Sequence, residues 1–344
     1  MNITEKTTKY IFDPSSLIRE IDENTVFFKT TAGKFKLSGN GIVLAVRAIL
    51  SRFQNAAYPA DVMEALSDSY QARALQSFLA FLIEKKLLIS ENVYKDLTAF
   101  DSDYLEKYRS LTAYGKGLLT ISQKMQAMTL GVIGTWQFIH CCVDQLAQDR
   151  LIGKIRFLIT DRQSVPPEVP AHRFEIVCLA EAPEAQIQAF VSACDFVIVS
   201  SSYESYSLFH LVNERCLAER KNWLRVALLE ERAEIGPLFV PGETCCYDCL
   251  ERRASECRDE KASAYFAMLE KDTKAVHEPQ LAMYSSSYLT RMSADITIYE
   301  LMHYFAGGDC PLKGSILTFF TEGYKTRLDK VFRHSQCKSC HGQG

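Results

Sequence analysis

The amino-acid sequence predicts an α/β protein with a doubly wound (Rossmann-like) parallel sheet, preceded by a winged helix-turn-helix domain. Three observations support this prediction. Strand and helix patterns alternate between Thr129 and Leu229, short strands and three helices precede residue 95, and two Cys-x-x-Cys pairs follow the alternating region. We therefore expect a winged-helix domain at residues 1–95, a connector at residues 96–127 and an α/β domain at residues 128–344.

The N-terminal region has the element order of a winged helix-turn-helix domain. Short strand patterns joined by turn residues come first, followed by three helical patterns and a closing strand. The strands are expected at residues 16–21, 25–30 and 34–37, the helices at 41–53, 59–66 and 72–86, and the closing strand at 87–89.

DNA binding fits this N-terminal domain poorly. Residues 1–95 contain 12 Lys and Arg against 10 Asp and Glu, an excess of only two positive charges. The third helix is too apolar to read base edges, since it offers little beyond Arg73 and Gln76. A zinc-dependent transcription factor is therefore the least favoured function, and a peptide or protein ligand suits the domain better.

The third predicted strand and the third helix are the candidate peptide-binding site. Alternation along the strand places Phe35 and Leu37 on one face and two lysines on the other. The helix has more apolar positions than one core-facing stripe requires, although a wide core contact is the simpler interpretation. An unpaired strand edge could accept an extended peptide, and nearby lysines, including Lys29, would attract an acidic one. The candidate residues are Lys34, Phe35, Lys36, Leu37, Ala74, Phe78, Phe81 and Lys85.

The alternating region predicts a parallel sheet whose first turn would hold a nucleotide. Strands are expected at residues 129–133, 155–160, 173–179, 196–200 and 223–229, and helices at 136–149, 184–193 and 206–220. The first turn has only Gly131 and Gly134, and the bulky Trp136 begins its helix. Asp161 stands where a ribose-binding carboxylate would, but Ser202 offers no carboxylate for magnesium. We predict a vestigial nucleotide site at Gly131, Gly134 and Asp161.

Two cysteine pairs predict a structural zinc site. Cys246 and Cys249 form one pair, and Cys337 and Cys340 form the other. Cys246 is chosen over Cys245 because only Cys246 has two residues between it and Cys249. Four sulfur ligands leave no open position for substrate. A redox dithiol and two unrelated thiol pairs are the alternatives. We expect both pairs in turns, and neither at the start of a helix directly after a strand, where a reactive dithiol usually lies.

Composition and charge limit the classes of protein to which the chain can belong. Its 344 residues suffice for two domains, and a net charge of −3 argues against a general nucleic-acid binder. No apolar signal segment opens the sequence and no stretch of about 18 uncharged apolar residues occurs, so we expect no membrane span. The 12 cysteines then indicate a reducing cytoplasm, with four as zinc ligands and most others in the core.

Residues 236–253 and the C-terminal Cys-x-x-Cys together resemble the ThiF/MoeB-type superfamily, which is related to ubiquitin-activating enzymes. The run Gly-Pro-Leu-Phe-Val-Pro-Gly-Glu-Thr-x-Cys-Tyr-x-Cys-Leu looks like members that act on ribosomally made peptides. One such group contains adenylating enzymes of the microcin C type. Another contains partner proteins of YcaO-type cyclodehydratases. Both can carry an N-terminal winged-helix element for peptide recognition, which residues 1–95 resemble.

Departures from the adenylating pattern favour the partner-protein interpretation. The resemblance implies a fuller glycine loop, an Asp-x-Asp, an Asn-x-x-Arg-Gln run and a later Asp in active members. This sequence has Asp161-Arg162-Gln163 and Ser202 instead, and it lacks the Asn-x-x-Arg-Gln run. We therefore expect a leader-binding scaffold for a separate YcaO-type enzyme, with structural Zn²⁺ as its cofactor. The alternative is an enzyme that itself adenylates a peptide carboxylate with ATP-Mg.

One apolar helix bears on whether the chain forms a dimer. An apolar helix at residues 292–305 is either core or a dimer face, and we expect a homodimer. Whether a flavin dehydrogenase joins the complex is left open by the sequence.

Overall fold

The computed structural model describes residues 6–13, 16–30, 32–98, 125–147, 152–161, 174–179, 183–202, 206–229, 231–261, 263–264, 286–305 and 310–341. The chain divides into two compact units, Met1–Ile121 and Ser122–Gly344. Most of the predicted connector, including a helix expected near residues 104–111, lies outside the described residues.

The first unit contains a three-stranded antiparallel sheet in the order β2-β3-β4. Its strands are β2 (Leu17–Asp22), β3 (Thr25–Thr30) and β4 (Gly33–Ser38). A separate short strand, β1 (Tyr10–Phe12), pairs with β5 (Leu88–Ser90). Sequence analysis missed β1 because three residues are too few to show an alternating pattern.

The helices of the first unit are α1 (Ile42–Arg52), α2 (Pro59–Ala65), α3 (Ala72–Glu84) and α4 (Glu91–Thr98). Helix α3 buries Leu75, Leu79 and Leu82, which share one face at the helical period. These leucines lie in one core with Val26 and Phe28 of β3. The predicted helices are present with ends shifted by one or two residues.

The second unit is built on an eight-stranded sheet in the order β13-β12-β11-β10-β9-β6-β7-β8. Strands β8, β7, β6, β9 and β10 are parallel, whereas β10 to β13 are antiparallel. The mostly parallel α/β sheet is confirmed. The strands are β6 (Thr129–Gly134), β7 (Lys154–Ile159), β8 (Phe174–Cys178), β9 (Phe196–Ser202), β10 (Asn222–Leu228), β11 (Arg232–Phe239), β12 (Ser315–Phe320) and β13 (Lys325–Lys330).

The three antiparallel strands were not predicted. Strand β11 contains Gly236-Pro237, and glycine and proline argue against a strand in sequence. Strand β13 reads Lys-Thr-Arg-Leu-Asp-Lys and is almost wholly exposed, so it lacks an apolar alternation. Tertiary pairing, rather than local pattern, places both strands in the sheet.

The helices of the second unit are α5 (Trp136–Ala147), α6 (Pro183–Ser192), α7 (Tyr206–Glu219), α8 (Tyr247–Glu256), α9 (Ser287–Phe305) and α10 (Lys338–His341). Helix α9 packs against α5, β10 and β11 and buries Leu289, Ala294, Ile298, Leu301 and Met302, whereas its Tyr288 and Tyr299 are exposed. It begins five residues earlier than predicted. No helix among the described residues is long and apolar enough to cross a membrane.

Candidate functional site

The four predicted cysteine ligands come together in the second unit. The sulfurs of Cys246 and Cys249 are 3.7 Å apart, Cys246 and Cys337 are 3.6 Å apart, and Cys249 and Cys340 are 3.4 Å apart. All four sulfurs lie within 4.8 Å of one another. The alternative of two unrelated thiol pairs is therefore wrong.

Each cysteine pair opens a helix, rather than lying in a turn as predicted. Cys246 is the residue before α8 and Cys249 lies in its first turn. Cys337 and Cys340 have the same relation to α10. A helix N-terminus stabilises negative charge, so this placement favours thiolates. Residues 240–246 and 331–337 separate these helices from the strands before them, so neither pair opens a helix directly after a strand. That separation and the clustering of four sulfurs both argue against a redox dithiol.

The spacing of the sulfurs fits a tetrahedral metal ion. Zinc–sulfur bonds of about 2.3 Å correspond to sulfur–sulfur distances of about 3.8 Å in a tetrahedron. Cys246, Cys249 and Cys337 are buried and Cys340 is half-buried, so the cluster is closed to bulk solvent. Without metal, the Cys246 thiol donates to the Cys249 sulfur, which lowers the pKa of Cys249 and raises the pKa of Cys246. The donor set suits a structural metal ion such as zinc.

A side-chain network links the two cysteine pairs. The Ser339 hydroxyl donates to Asp248, and Nδ1 of His210 lies 2.7 Å from the other Asp248 oxygen. Burial disfavours ionisation of Asp248, but the hydrogen bonds from His210 and Ser339 hold its pKa below the usual value. Sequence analysis missed this network. Its only signal was that Asp248 and Ser339 occupy the same third position of the two Cys-x-x-Cys motifs.

A fifth cysteine lies beside the cluster without belonging to it. Cys245 is buried, and desolvation raises the pKa of its thiol to about 12. The sulfurs that lie within 4.8 Å of one another are those of Cys246, Cys249, Cys337 and Cys340 and do not include that of Cys245, which agrees with the choice of Cys246 from motif spacing.

The predicted peptide-binding strand lies at an edge of the sheet in the first unit. Strand β4 pairs with β3, and no other described strand pairs with it. Phe35 and Leu37 are half-buried, whereas Lys34 and Lys36 are exposed. The alternation predicted from sequence is therefore present.

An aromatic surface of α3 contacts the inner face of β4. The rings of Phe35 and Phe81 meet edge to face at 6.4 Å, and Phe78 stacks beside Phe81 at 6.3 Å. The Lys85 ammonium lies 5.2 Å from the Phe35 ring centroid and 6.0 Å from that of Phe81. Ala74 is exposed, and both α3 phenylalanines are only half-buried. We call Phe35, Phe78, Phe81 and Lys85 the aromatic groove.

The two glycines predicted for the first turn lie within β6, and their surroundings are filled by the protein's own groups. A Cβ at Gly131 would lie 2.7 Å from the Cys194 sulfur, and one at Gly134 would lie 3.1 Å from Ser200. Asp161 accepts a 2.8 Å hydrogen bond from the backbone N–H of Trp136, at the start of α5. The glycines and the carboxylate thus have structural roles. Arg162, Gln163 and the Ser202 side chain lie outside the described part of the chain.

No protein-family model matches the sequence, and no curated protein matches it significantly. Solved structures share its fold. The microcin C7 biosynthetic enzyme MccB, in complex with N-formylated MccA, is 15% identical with a TM-score of 0.69, and the match covers 96% of this chain and 99% of MccB. E. coli MccB with ATP is 16% identical with a TM-score of 0.67 and the same coverage.

A second kind of protein also shares the fold. The heterocyclase TruD is 16% identical with a TM-score of 0.64, and the match covers 97% of this chain but only 43% of TruD. The chain therefore has the fold of MccB over nearly its whole length and corresponds in fold to less than half of TruD.

Proposed function

We propose that this chain binds the leader of a ribosomally synthesised precursor peptide and presents the precursor's core to a separate YcaO-type enzyme. That enzyme would perform the ATP-dependent cyclodehydration of Cys, Ser or Thr to azolines. The observation that carries the proposal is the open edge of β4 beside the aromatic groove. In this proposal residues 1–95 form a winged helix-turn-helix recognition domain, and residues 128–344 form a ThiF-like domain after a connector at 96–127.

Strand β4 offers backbone groups to an added strand. Thr30 pairs with Gly33 across a two-residue turn. Because hydrogen-bonded and non-hydrogen-bonded pairs alternate along an antiparallel ladder, Lys34 and Lys36 direct their N–H and C=O groups away from β3. An extended leader would bond to these groups along the outer edge.

The aromatic groove would receive alternate side chains of the leader. Side chains of an added strand point to alternate faces, so every second residue lies on the face of Phe35 and Leu37. From Ala74 to Lys85, α3 rises by about 16 Å, the length of about five extended residues. We therefore expect a leader segment of about five residues, with apolar side chains at alternate positions over Phe78 and Phe81.

The charges around this edge favour an acidic leader. Lys29, Lys34 and Lys36 are exposed, and Lys85 lies against the aromatic rings at one end of the groove. Attraction between exposed charges is screened by salt. Leader affinity should therefore fall as ionic strength rises, through a slower association rate.

A scaffold role is favoured over adenylation by the turn after β6. There the Trp136 N–H, a donor that a phosphate would need, is bonded to Asp161. Adenylation remains the second candidate because the same fold occurs in MccB, whose structure has been solved with ATP.

The four-cysteine cluster would hold one structural Zn²⁺. Its four sulfurs meet the coordination number and spacing of a closed site. The ion would join the C-terminal segment to the start of α8 and would take no part in chemistry.

Leader binding can be tested by fluorescence anisotropy with the full chain and labelled leader peptides. Replacing Lys36 with proline removes the outward N–H, whereas alanine removes the charged side chain and keeps the N–H. We expect Lys36→Pro to weaken binding at least about tenfold, or about 1.4 kcal/mol, and Lys36→Ala to weaken it less. Circular dichroism must show both variants folded. Equal affinity of folded Lys36→Pro and the parent would exclude strand addition at this edge.

A further inference from the structure

The segment that carries the second cysteine pair is bonded to the rest of the unit at several points that involve no cysteine. After β13, the Val331 N–H donates to the Gly314 carbonyl at 2.8 Å. Arg253 of α8 then donates from Nε to the Phe332 carbonyl at 2.7 Å and from Nη2 to the Arg333 carbonyl at 2.8 Å. One guanidinium thus holds two consecutive backbone carbonyls.

Side chains of the C-terminal segment in turn contact α8 and the residues just before it. Arg333 donates from Nε to the Thr244 carbonyl at 2.9 Å, just before the first cysteine pair. Nε2 of His334 lies 2.8 Å from a carboxylate oxygen of Glu256, at the end of α8. The Cys337 N–H donates to the His334 carbonyl at 3.1 Å, which fixes the start of the second pair.

We propose that Arg253 docks the C-terminal segment onto α8 before any metal binds, and is therefore a positioning residue of the four-cysteine site. This inference rests on the proposed zinc site. Arg253 is not a ligand; it places Cys337 and Cys340 opposite Cys246 and Cys249. The hydrogen bond from Ser339 to Asp248 completes the alignment of the two pairs.

Preorganisation explains why such an attachment raises metal affinity. Two ligands come from a segment nearly ninety residues beyond the first pair. If that segment were free, metal binding would also have to order it, and the lost conformational entropy would weaken binding. A docked segment has already lost that freedom. A planar guanidinium suits two neighbouring carbonyls better than an ammonium, which offers a single point charge.

Zinc affinity of the full chain tests the proposal by competition with a chromophoric chelator. We expect Arg253→Ala to bind zinc at least about tenfold more weakly than the parent, with Arg253→Lys in between. Arg327→Ala is the matched control, because that exposed arginine of β13 pairs with Asp329, two residues along the chain, and its loss should leave zinc affinity unchanged. Unchanged affinity in Arg253→Ala overturns the proposal.

Limited trypsin digestion of the metal-free proteins gives a second readout, with cleavage after Lys330, Arg333 and Lys338 followed by mass spectrometry. The metal-free parent should be protected at these sites and metal-free Arg253→Ala should be cut rapidly. Equally rapid cutting of both means that metal alone holds the segment, which contradicts the proposal. If the parent binds no zinc, the proposed zinc site is wrong. The digestion then still shows whether Arg253 docks the C-terminal segment.

Discussion

The edge of β4 and the turn after β6 are both candidate binding regions, but their groups are used differently. At β4, outward backbone groups lie beside half-buried aromatic rings, and no described strand covers the edge. At the second region, Gly131 and Gly134 of β6 accommodate neighbouring groups, and Asp161 bonds to the start of α5 after the turn. The proposal therefore assigns leader binding to the first region and a structural role to the groups of the second.

This difference shows why motif residues alone are weak indicators of a nucleotide site. A glycine is required wherever a Cβ would collide, whether the neighbour is a phosphate or a cysteine. A carboxylate after a strand can hold a ribose or accept a hydrogen bond from a helix N-terminus. The packing around Gly131 and Asp161 distinguishes these uses.

The largest expected effect is a loss of zinc affinity at the four-cysteine cluster, which belongs to neither of these two regions. Cys337→Ser removes one of four sulfur ligands, so zinc affinity should fall at least about 100-fold, or about 2.7 kcal/mol. Metal analysis of the parent should find about one equivalent of zinc, and the variant should lose it and melt at lower temperature. Leader affinity should stay unchanged. A metal-free parent of full stability would refute the zinc assignment.

Gly131→Ala tests whether the first glycine is structural. The added methyl group would lie 2.7 Å from the Cys194 sulfur and 3.0 Å from the Phe190 ring. Overpacking of this kind destabilises by about 1–3 kcal/mol, which chemical denaturation would measure. Gly39→Ala is the control, since no atom lies within 4 Å of its Cβ position. Equal stability of the two variants would return Gly131 to the list of candidate phosphate-binding residues.

Phe81→Ala tests whether the aromatic groove contributes to leader binding. Phe81 contacts both Phe35 and Phe78, so its loss should weaken leader binding about tenfold, or about 1.4 kcal/mol. Leu44→Ala is a suitable control because Leu44 is 66% exposed on another helix of the same unit. Anisotropy measurements on both folded variants would compare their leader affinities. Unchanged affinity in Phe81→Ala would mean that the aromatic groove is only a wide core contact.

Local patterns predicted the parts of the fold that depend on periodicity and spacing. The leucine stripe of α3, the alternation of β4 and the parallel strands β6 to β10 follow from residues near in sequence. The four-cysteine cluster was predictable because ligand spacing is a rule of coordination chemistry.

Other features depend on contacts that no local pattern encodes. The tertiary pairing of β11 and β13 overrides the glycine and proline of β11 and the charged residues of β13. The helices that start at the two cysteine pairs and the Asp248–Ser339 bond were also missed, because a four-residue helix and a single cross-chain hydrogen bond leave no periodic signal.

ATP–pyrophosphate exchange, measured with the full chain and a precursor whose leader it binds, tests the central claim most directly. If the chain is a leader-binding scaffold, exchange should stay at background while anisotropy shows the leader bound. Asp161→Ala should then lose only stability, by about 1 kcal/mol, because it removes a hydrogen-bond acceptor at the start of α5. Exchange above background that Asp161→Ala abolishes would contradict the claim and establish the chain as an adenylating enzyme.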